Sequence, residues 1–211
     1  MNEVVAGGDG LARCWWCVGD SLYETYHDAE WGRPTDKDVR LFEKLCLEGF
    51  QSGLSWLTIL RKRENFRRAF KSFDIGAIAR FNERSVQRLM TDAGIVRNRA
   101  KIEATINNAR RYLDLVDEYG SLAAFVWTYE PHPRSRPRKV TWKSLTQTTT
   151  SEEARALSKD LRRRGWAFVG PTTAYSFMEA VGLVNDHLSA CAFRIEVEKE
   201  RSRFERPRLP S

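Results

Sequence analysis

The sequence contains no long apolar run and few residues that bind metal ions. No segment approaches the roughly 18 apolar residues of a membrane-spanning helix, and residues 1–13 lack the basic start and apolar centre of a secretory signal. We therefore expect a cytoplasmic protein in a reducing compartment, with no membrane partner. The chain has only four cysteines and three histidines among 211 residues. Its thiols are then free to bind metal rather than to form disulfides.

Internal repeats are absent, and strand-like alternation of apolar and polar residues is rare. Only residues 139–142 alternate in this way, and residues 130–150, with three prolines, are predicted to form a long loop. Elsewhere apolar residues recur at helical spacing. The pattern predicts helices over residues 38–49, 56–70, 75–81, 86–93, 99–116, 122–127, 152–164 and 172–181. A chain of this length and composition can bury one good core.

Positive charge exceeds negative charge, with 35 Lys and Arg against 28 Asp and Glu and a net charge of +7. Basic clusters lie at residues 97–101, 134–139 and 162–164. The excess favours a polyanionic partner such as nucleic acid, although each cluster by itself is also typical of a solvated helix face.

Side chains that bind metal lie in two pairs: Cys14 with His27, and His187 with Cys191. A spacing of four residues in a segment predicted to be helical would place His187 and Cys191 on one helix face. Thiolate and imidazole are preferred zinc ligands, and a set of four leaves no open position for water, so a bound zinc ion would be structural. The residues alone leave open that Cys14 is a small buried apolar residue and that the histidines are hydrogen-bonded core groups.

A turn between two predicted helices contains Gly165, Gly170 and Pro171 and leads into Thr172 and Thr173. Backbone N–H groups at such a helix N-terminus can bind a phosphate without reading base sequence. A glycine that only ends a helix is the alternative explanation.

A carboxylate, Glu48, ends a predicted apolar helix eight residues before Trp56, and Tyr23, Tyr26 and Trp31 precede it in a short aromatic segment. A carboxylate beside aromatic rings would bind a flat, cationic ligand. The same residues also fit core aromatics and a solvent-exposed glutamate at a helix end.

The order of these motifs resembles that of the 3-methyladenine DNA glycosylase I family. The matching stretches run from about residue 13 to residue 191 and include Arg13-Cys14-x-Trp16, Tyr23-x-x-Tyr26-His27-Asp28-x-Glu30-Trp31-Gly32, Leu47-Glu48-Gly49-x-Gln51-x-Gly53-Leu54-Ser55-Trp56, Lys62-Arg63-Glu64-Asn65, Asp92-Ala93-Gly94-Ile95, and Phe168-Val169-Gly170 through Tyr175 and Gly182 to His187. No single stretch is specific, but together they cover nearly the whole chain.

The resemblance implies an all-α, helix-hairpin-helix glycosylase fold in which structural Zn²⁺ joins the N- and C-terminal segments through Cys14, His27, His187 and Cys191. A single glycosylase domain would span residues 12–194, between a flexible tail (1–11) and a basic tail (195–211). The pocket for a flipped base would be lined by Tyr23, Tyr26, Trp31, Glu48 and Trp56. DNA would be contacted by Gly53 and Leu54, which fill the gap left by the base, and by Gly165, Gly170, Thr172 and Thr173 of the hairpin.

The implied activity belongs to base excision repair. The enzyme would hydrolyse the N-glycosidic bond of 3-methyladenine in alkylated double-stranded DNA and release the free base, with Glu48 as the catalytic residue, no nucleotide cofactor and a monomeric chain. No lysine lies in the matched pocket segments, so a monofunctional enzyme without lyase activity is expected. A bacterial, cytoplasmic protein that associates with the nucleoid through DNA is also implied.

Two residues near the expected site raise separate questions. Asp186, beside His187, is expected to orient a zinc-bound histidine. Phe50 stands where the family often carries glutamine, and we expect it to tighten or reshape the pocket.

The alternative from another class is a non-catalytic, zinc-stabilised helix-hairpin-helix module that binds duplex DNA and releases no base. A third interpretation, a catalytic zinc enzyme for small cationic substrates, conflicts with four protein ligands. Substitution of Glu48 separates these interpretations, because it would impair base release only in the glycosylase.

Overall fold

The computed structural model describes residues 4–210, a range that contains eleven α-helices and one two-stranded sheet. Residues 1–3 and 211, the outermost parts of the two expected tails, lie outside the described residues. The strands β1 (Val4–Ala6) and β2 (Ala12–Cys14) pair antiparallel. The helices are α1 (Ser21–Ala29), α2 (Asp38–Gln51), α3 (Trp56–Ala69), α4 (Ile75–Ala79), α5 (Glu83–Thr91), α6 (Arg99–Tyr119), α7 (Leu122–Trp127), α8 (Trp142–Gln147), α9 (Glu152–Arg163), α10 (Pro171–Ala180) and α11 (Arg194–Arg203).

Short polar residues cap the starts of α1, α3 and α9. Asp20 accepts a hydrogen bond from the backbone N–H of Tyr23 at the start of α1. Ser55 does the same for Thr58 at the start of α3, and Ser151 for Ala154 at the start of α9. Each cap satisfies one backbone donor that has no partner within its helix. These residues therefore fix where three of the helices begin.

Helix α2 is the centre of the core. Ten consecutive residues of this helix, Leu41 to Phe50, are buried, because α2 packs against α3, α6, α7 and α10. A helix buried on all sides also buries its polar residues, and Glu43, Lys44 and Glu48 lose most of their contact with water in this way. The fold thus places two carboxylates and an ammonium group inside the protein.

The expected all-α class needs a correction, because the chain is mostly helical with one small sheet. Each strand has only three residues, too few for an alternating pattern to be visible in the sequence. The strand-like residues 139–142 do not form a strand. The predicted loop over residues 130–150 contains α8, which begins with a capping box between Thr141 and Ser144.

The prediction of a helix through His187 and Cys191 is wrong. Helix α10 ends at Ala180. Gly182, two residues further on, has a φ of +80° that favours glycine, and the N–H of Leu183 returns to the carbonyl of Met178. The following turns are held by the side chain of Asn185, which accepts from the N–H of His187. A helix end and local polar contacts therefore replace the predicted helical spacing.

Both expected tails contain regular structure within the described residues. Residues 4–6 pair with β2, and α11 buries Val197 and Arg201. The division of the chain into one domain and two tails stays a prediction. No helix in the part of the chain that the structure describes is long and apolar enough to cross a membrane.

Candidate functional site

A cavity of about 180 Å³ lies between α1, α2 and α10. All five residues expected at a base pocket border it, namely Tyr23, Tyr26, Trp31, Glu48 and Trp56. Four further residues complete its wall, namely Trp16, Gln51, Ser176 and Glu179. The cavity is therefore mostly aromatic, with two carboxyl groups facing it from different helices.

The Glu48 carboxylate is buried and receives no hydrogen bond from any residue in the range 4–210. Burial raises the pKa of Glu48 from its ordinary value to about 7, and the charge of Lys44 acts in the opposite direction. A buried carboxylate without a donor is costly to the fold. The cavity can therefore supply a strong acceptor to a ligand that donates hydrogen bonds or carries positive charge.

Aromatic rings surround this carboxylate. The centroids of the Tyr26 and Trp56 rings are 5.4 Å apart, and the rings of Tyr23 and Tyr26 are stacked at 6.5 Å. On the other side, Trp16 lies 4.9 Å from both Tyr23 and Trp31. Flat, electron-rich walls of this kind bind planar and cationic groups.

A lysine that the sequence analysis missed lies behind two of these rings. The ammonium of Lys44 is 4.4 Å from the ring centroid of Tyr26 and 4.2 Å from that of Trp56, and it donates to the Tyr26 hydroxyl at 3.0 Å. Burial lowers the pKa of Lys44 to about 8. The helical spacing between Lys44 and Glu48 was the available signal, since residues four apart share a helix face.

Helix α10 contributes Ser176 and Glu179 to the opposite wall. Burial raises the pKa of Glu179 well above its ordinary value, and the nearby charge of Asp186 adds to the shift. Asp186 accepts a hydrogen bond from the Tyr175 hydroxyl at 2.6 Å. The expectation that Asp186 orients a zinc-bound histidine is therefore not met.

Phe50 does not reach the cavity. Its ring packs against Phe66 and Phe70, with centroid distances of 4.6 and 6.0 Å. The expectation that Phe50 tightens or reshapes the pocket is wrong, because helical rotation carries its side chain to another face of α2.

A second polar cluster lies in the core beside the cavity. Cys14, His27, His187 and Cys191 are buried, and their ligand atoms all lie within 4.8 Å of one another. Contact with Cys14 lowers the pKa of the Cys191 thiol, and contact with Cys191 raises that of Cys14. Two thiols and two imidazoles that converge in this way could hold a metal ion.

Neighbouring acceptors fix the two imidazole rings. His27 donates from Nδ1 to the carboxylate of Asp28 at 2.7 Å, and His187 donates from Nε2 to the carbonyl of Trp31 at 3.1 Å. The other nitrogens, His27 Nε2 and His187 Nδ1, face each other at 3.1 Å. Both lone pairs therefore point into the cluster, and Arg13 holds Asp28 in place through two further hydrogen bonds to its Oδ2.

The expected DNA-contacting residues lie on two surface turns. Gly53 and Leu54 form the turn between α2 and α3, and the Leu54 side chain is 43% exposed. Lys101 holds this turn by donating to the carbonyls of Phe50 and Ser52 at 2.8 and 2.6 Å. An apolar side chain therefore projects into solvent from a well-supported turn.

The second turn joins α9 to α10 and contains Gly165 and Gly170. Gly165 has a φ of +80°, and the N–H of Trp166 bonds to the carbonyl of Leu161, which ends α9. Gly170 precedes α10 without a side-chain cap, and Thr172 is exposed in the first turn. The side chain of Asn108 clamps the turn by bonding to both the N–H and the carbonyl of Ala167.

Comparison with known proteins shows relatives over most of the chain. The family model "methyladenine glycosylase" matches residues 16–195. DNA-3-methyladenine glycosylase 1 of Escherichia coli is 46% identical over 181 residues, covering 86% of this chain and 96% of the relative. DNA-3-methyladenine glycosylase of Haemophilus influenzae is 42% identical, with coverages of 85% and 96%. The structure that explains 3-methyladenine recognition by 3-methyladenine DNA glycosylase I from Staphylococcus aureus aligns with a TM-score of 0.79 at 38% identity, covering 86% of this chain and 96% of that one.

Proposed function

The chain belongs to the methyladenine glycosylase family, and from that premise we propose that it hydrolyses the N-glycosidic bond of 3-methyladenine in alkylated DNA. The free base and an abasic site are the products. The observation that carries the assignment to the cavity is the buried Glu48 carboxylate, which faces aromatic walls and has no hydrogen-bond donor of its own.

The methylated base supplies the positive charge and the hydrogen-bond donors that the Glu48 carboxylate lacks. Methylation at N3 gives adenine a positive charge, and its amino group donates hydrogen bonds. The Glu48 carboxylate would accept from the base edge, while the aromatic rings of the cavity wall would contact the base, each ring contributing roughly 0.5 to 2 kcal/mol. An uncharged adenine would leave the carboxylate less well compensated, so charge provides the selectivity.

The chemical step needs little activation of the leaving group. The electron pair of the C1′–N9 bond passes to the cationic base, which departs as neutral 3-methyladenine. Water adds to the oxocarbenium-like C1′, and its proton is lost to solvent. The protein's contribution is to extract the base from the duplex, which costs a few kcal/mol, and to stabilise its charged form in the cavity.

The two surface turns would hold the DNA open. Leu54 is exposed beside the cavity helix α2, where it can occupy the space of the flipped base, with Gly53 allowing close approach of the backbone. The turn between α9 and α10, with Gly165, Gly170, Thr172 and Thr173, would bind the DNA backbone as a helix-hairpin-helix motif. The positive net charge supports binding to a polyanion.

We also propose that Cys14, His27, His187 and Cys191 hold Zn²⁺. The donor set fits this ion, because the two free nitrogen lone pairs and two thiols converge and the opposite nitrogens are already hydrogen-bonded. With four protein ligands the ion would stabilise the fold and take no part in the reaction.

The enzyme is proposed to be monofunctional. Lys44 is the buried lysine beside the cavity; its amine lies over the rings of Tyr26 and Trp56, and the residue is not part of the cavity wall. A lyase would form a Schiff base between a lysine and C1′ of the abasic site. Borohydride should therefore trap no covalent complex with DNA, and a trapped complex that Lys44→Met abolishes would contradict this proposal.

The test of the function is release of methylated bases from DNA that carries radiolabelled methyl groups, with the freed base identified by chromatography. Wild-type protein should release 3-methyladenine, and Glu48→Gln should release it at least roughly 100-fold more slowly while still binding DNA. Glu43→Gln is the matched control, because Glu43 is a second buried carboxylate on α2 that pairs with Arg67 away from the cavity. If folded wild-type protein bound DNA but released no base, the protein would instead be a DNA-binding module.

A further inference from the structure

Lys44 is a buried ammonium whose immediate partners are aromatic. Its hydrogen bond goes to the Tyr26 hydroxyl, and its charge lies over the rings of Tyr26 and Trp56. Within residues 4–210 it forms no direct ion pair. Burying an ammonium is costly unless nearby groups stabilise its charge, and here two electron-rich rings contribute.

Lys44 and Glu48 lie one helical turn apart on the same face of α2. Glu48 borders the cavity, whereas Lys44 lies over two of the rings in the cavity wall and does not border the cavity itself. Opposite charges at this spacing stabilise each other strongly in a protein interior, where water does not screen them. Lys44 accordingly lowers the pKa of Glu48, and Glu48 raises that of Lys44, each against the effect of burial.

Other charged groups near this pair have partners of their own. Around Lys44, Glu30 pairs with Arg63 at 2.7 Å and Glu43 pairs with Arg67 at 2.8 Å.

Across the cavity, Glu179 faces Glu48 from α10, and the tyrosines 23 and 26 face it from α1. Burial raises the pKa of Glu179 and of both tyrosines, which favours their neutral forms. Among the described residues that act on Glu48, Lys44 supplies the compensating positive charge.

We propose that Lys44 is a positioning residue for base excision: through Tyr26 it fixes one wall of the cavity, and through its charge it favours the ionised form of Glu48 in the free protein. Its ammonium lies over the rings of Tyr26 and Trp56 and does not border the cavity, which limits repulsion of a cationic lesion. This inference rests on the proposed function, because it concerns the carboxylate assigned to base recognition.

The experiment is the pH dependence of kcat/KM for release of 3-methyladenine between pH 5 and 9, with the spontaneous rate subtracted. In Lys44→Met the midpoint of the acid limb should rise by roughly one unit or more, because Glu48 loses its counter-charge. Activity at pH 6 should then fall about tenfold relative to wild type, with a smaller loss at pH 8.5. Lys44→Arg, which keeps a positive charge, should retain the wild-type midpoint.

Lys101→Met is the matched control, because Lys101 is a second partly buried lysine near α2 that bonds to backbone carbonyls and does not act on Glu48. It should leave the midpoint of the acid limb in place even if the rate falls. Metal content and folded fraction are measured at each pH, so that loss of metal in acid is not mistaken for titration of Glu48.

An unchanged midpoint in folded Lys44→Met, or an equal loss at every pH, would overturn the inference. Tyr26→Phe decides the matter if Lys44→Met does not fold, because it removes the hydrogen bond and keeps the ammonium. Its midpoint should match wild type while its rate falls, and a shifted midpoint would assign control of Glu48 to the phenol instead. Wild-type protein that releases no base at any pH would contradict the proposed function and not this inference alone.

Discussion

The cavity and the cluster of Cys14, His27, His187 and Cys191 are neighbours in the same core, but they differ in how far their buried polar groups are hydrogen-bonded. In the cluster, each imidazole has a hydrogen-bonded acceptor on one side and three other ligand groups on the other. In the cavity, none of the residues that the structure describes donates a hydrogen bond to the Glu48 carboxylate. Buried polar groups that are fully satisfied stabilise a fold, whereas a group left without a partner weakens it and is free to bind a ligand.

The two regions are also connected. His27 of the cluster follows Tyr26 of the cavity along α1, and Trp31 borders the cavity with its ring while its carbonyl holds His187. The Cys/His cluster therefore holds in place two residues of the cavity wall, Tyr26 and Trp31. Substitutions should separate these roles, with large stability effects in the cluster and large activity effects in the cavity.

The largest effect is expected from removal of a cluster ligand. His187→Ala should abolish metal binding and lower the free energy of unfolding by more than about 4 kcal/mol, because it removes the ion and leaves two thiols and an imidazole buried without it. Metal analysis and urea unfolding provide the measurements. Cys46→Ala is the control, since Cys46 is buried on α2 outside the cluster, and its variant should keep the metal at a cost of about 1 kcal/mol. Equal losses in both variants would argue against a metal site.

Glu48→Gln should lower activity strongly and stability little, in contrast to a variant of the cluster. The rate of base release should fall at least roughly 100-fold, while stability at pH 7.5 should change little, because the gain from removing a buried carboxylate without a donor is offset by the loss of the counter-charge of Lys44. Glu43→Gln should keep the rate and lose about 1 to 2 kcal/mol, since Arg67 loses its partner. A marked loss of stability in Glu48→Gln would show that its carboxylate supports the fold after all.

Stability should depend on pH in opposite directions in the two regions. Folding raises the pKa of Glu48 from 4.5 to about 7, so the folded protein holds an extra proton between these values and this contribution to stability is lost as pH rises. Relative to wild type, Glu48→Gln should therefore gain on the order of 2 kcal/mol between pH 4.5 and 7.5. Metal binding changes the opposite way, because acid protonates thiolates and imidazoles. Urea unfolding across this range checks both, and parallel curves for the two proteins would contradict the first.

A smaller effect is expected at the acceptor that orients His27. Asp28→Asn should weaken metal affinity by about 10- to 100-fold without abolishing it, because His27 loses a charged acceptor. Asp186→Asn is the comparison, since Asp186 bonds to Tyr175 and contacts neither imidazole through a hydrogen bond. Competition with a chelator measures both affinities, and a greater loss in Asp186→Asn would reverse the assignment.

The smallest effect on the folded protein is expected at Leu54. Leu54→Ala should change stability by less than about 0.5 kcal/mol, because the side chain is exposed. Base release from duplex DNA should fall several-fold, with a smaller loss on single-stranded DNA, where no gap has to be filled. Equal losses on both substrates would exclude a role in opening the duplex.

The helices and the four cluster residues could be predicted from the sequence. The local backbone that brings the cluster residues together could not. Helical periodicity located α2, α3, α6, α7, α9 and α10 closely, because each carries an apolar stripe. The pairing of Cys14 and His27 with His187 and Cys191 predicted a cluster that the fold forms. The helix that was expected to place His187 and Cys191 on one face is absent, since Gly182 and Asn185 turn the chain there.

Other residues depend on packing that no local pattern reveals. Glu179 comes close to Glu48 only because α10 packs against α2 and both helices border one cavity. Phe50 is a different case, because it lies two residues after Glu48 and helical rotation places its side chain on another side of α2. The five expected pocket residues border one cavity, and their roles in catalysis stay predictions.

The metal cluster also has a consequence for the order of synthesis. His27 leaves the ribosome 160 residues ahead of His187, so the first half of the cluster exists for most of translation without the second. During that interval Cys14 and His27 can bind metal only weakly, as two ligands of an incomplete set. Closure of the cluster around the proposed Zn²⁺ would then be a late event that joins the earliest and latest parts of the nascent domain.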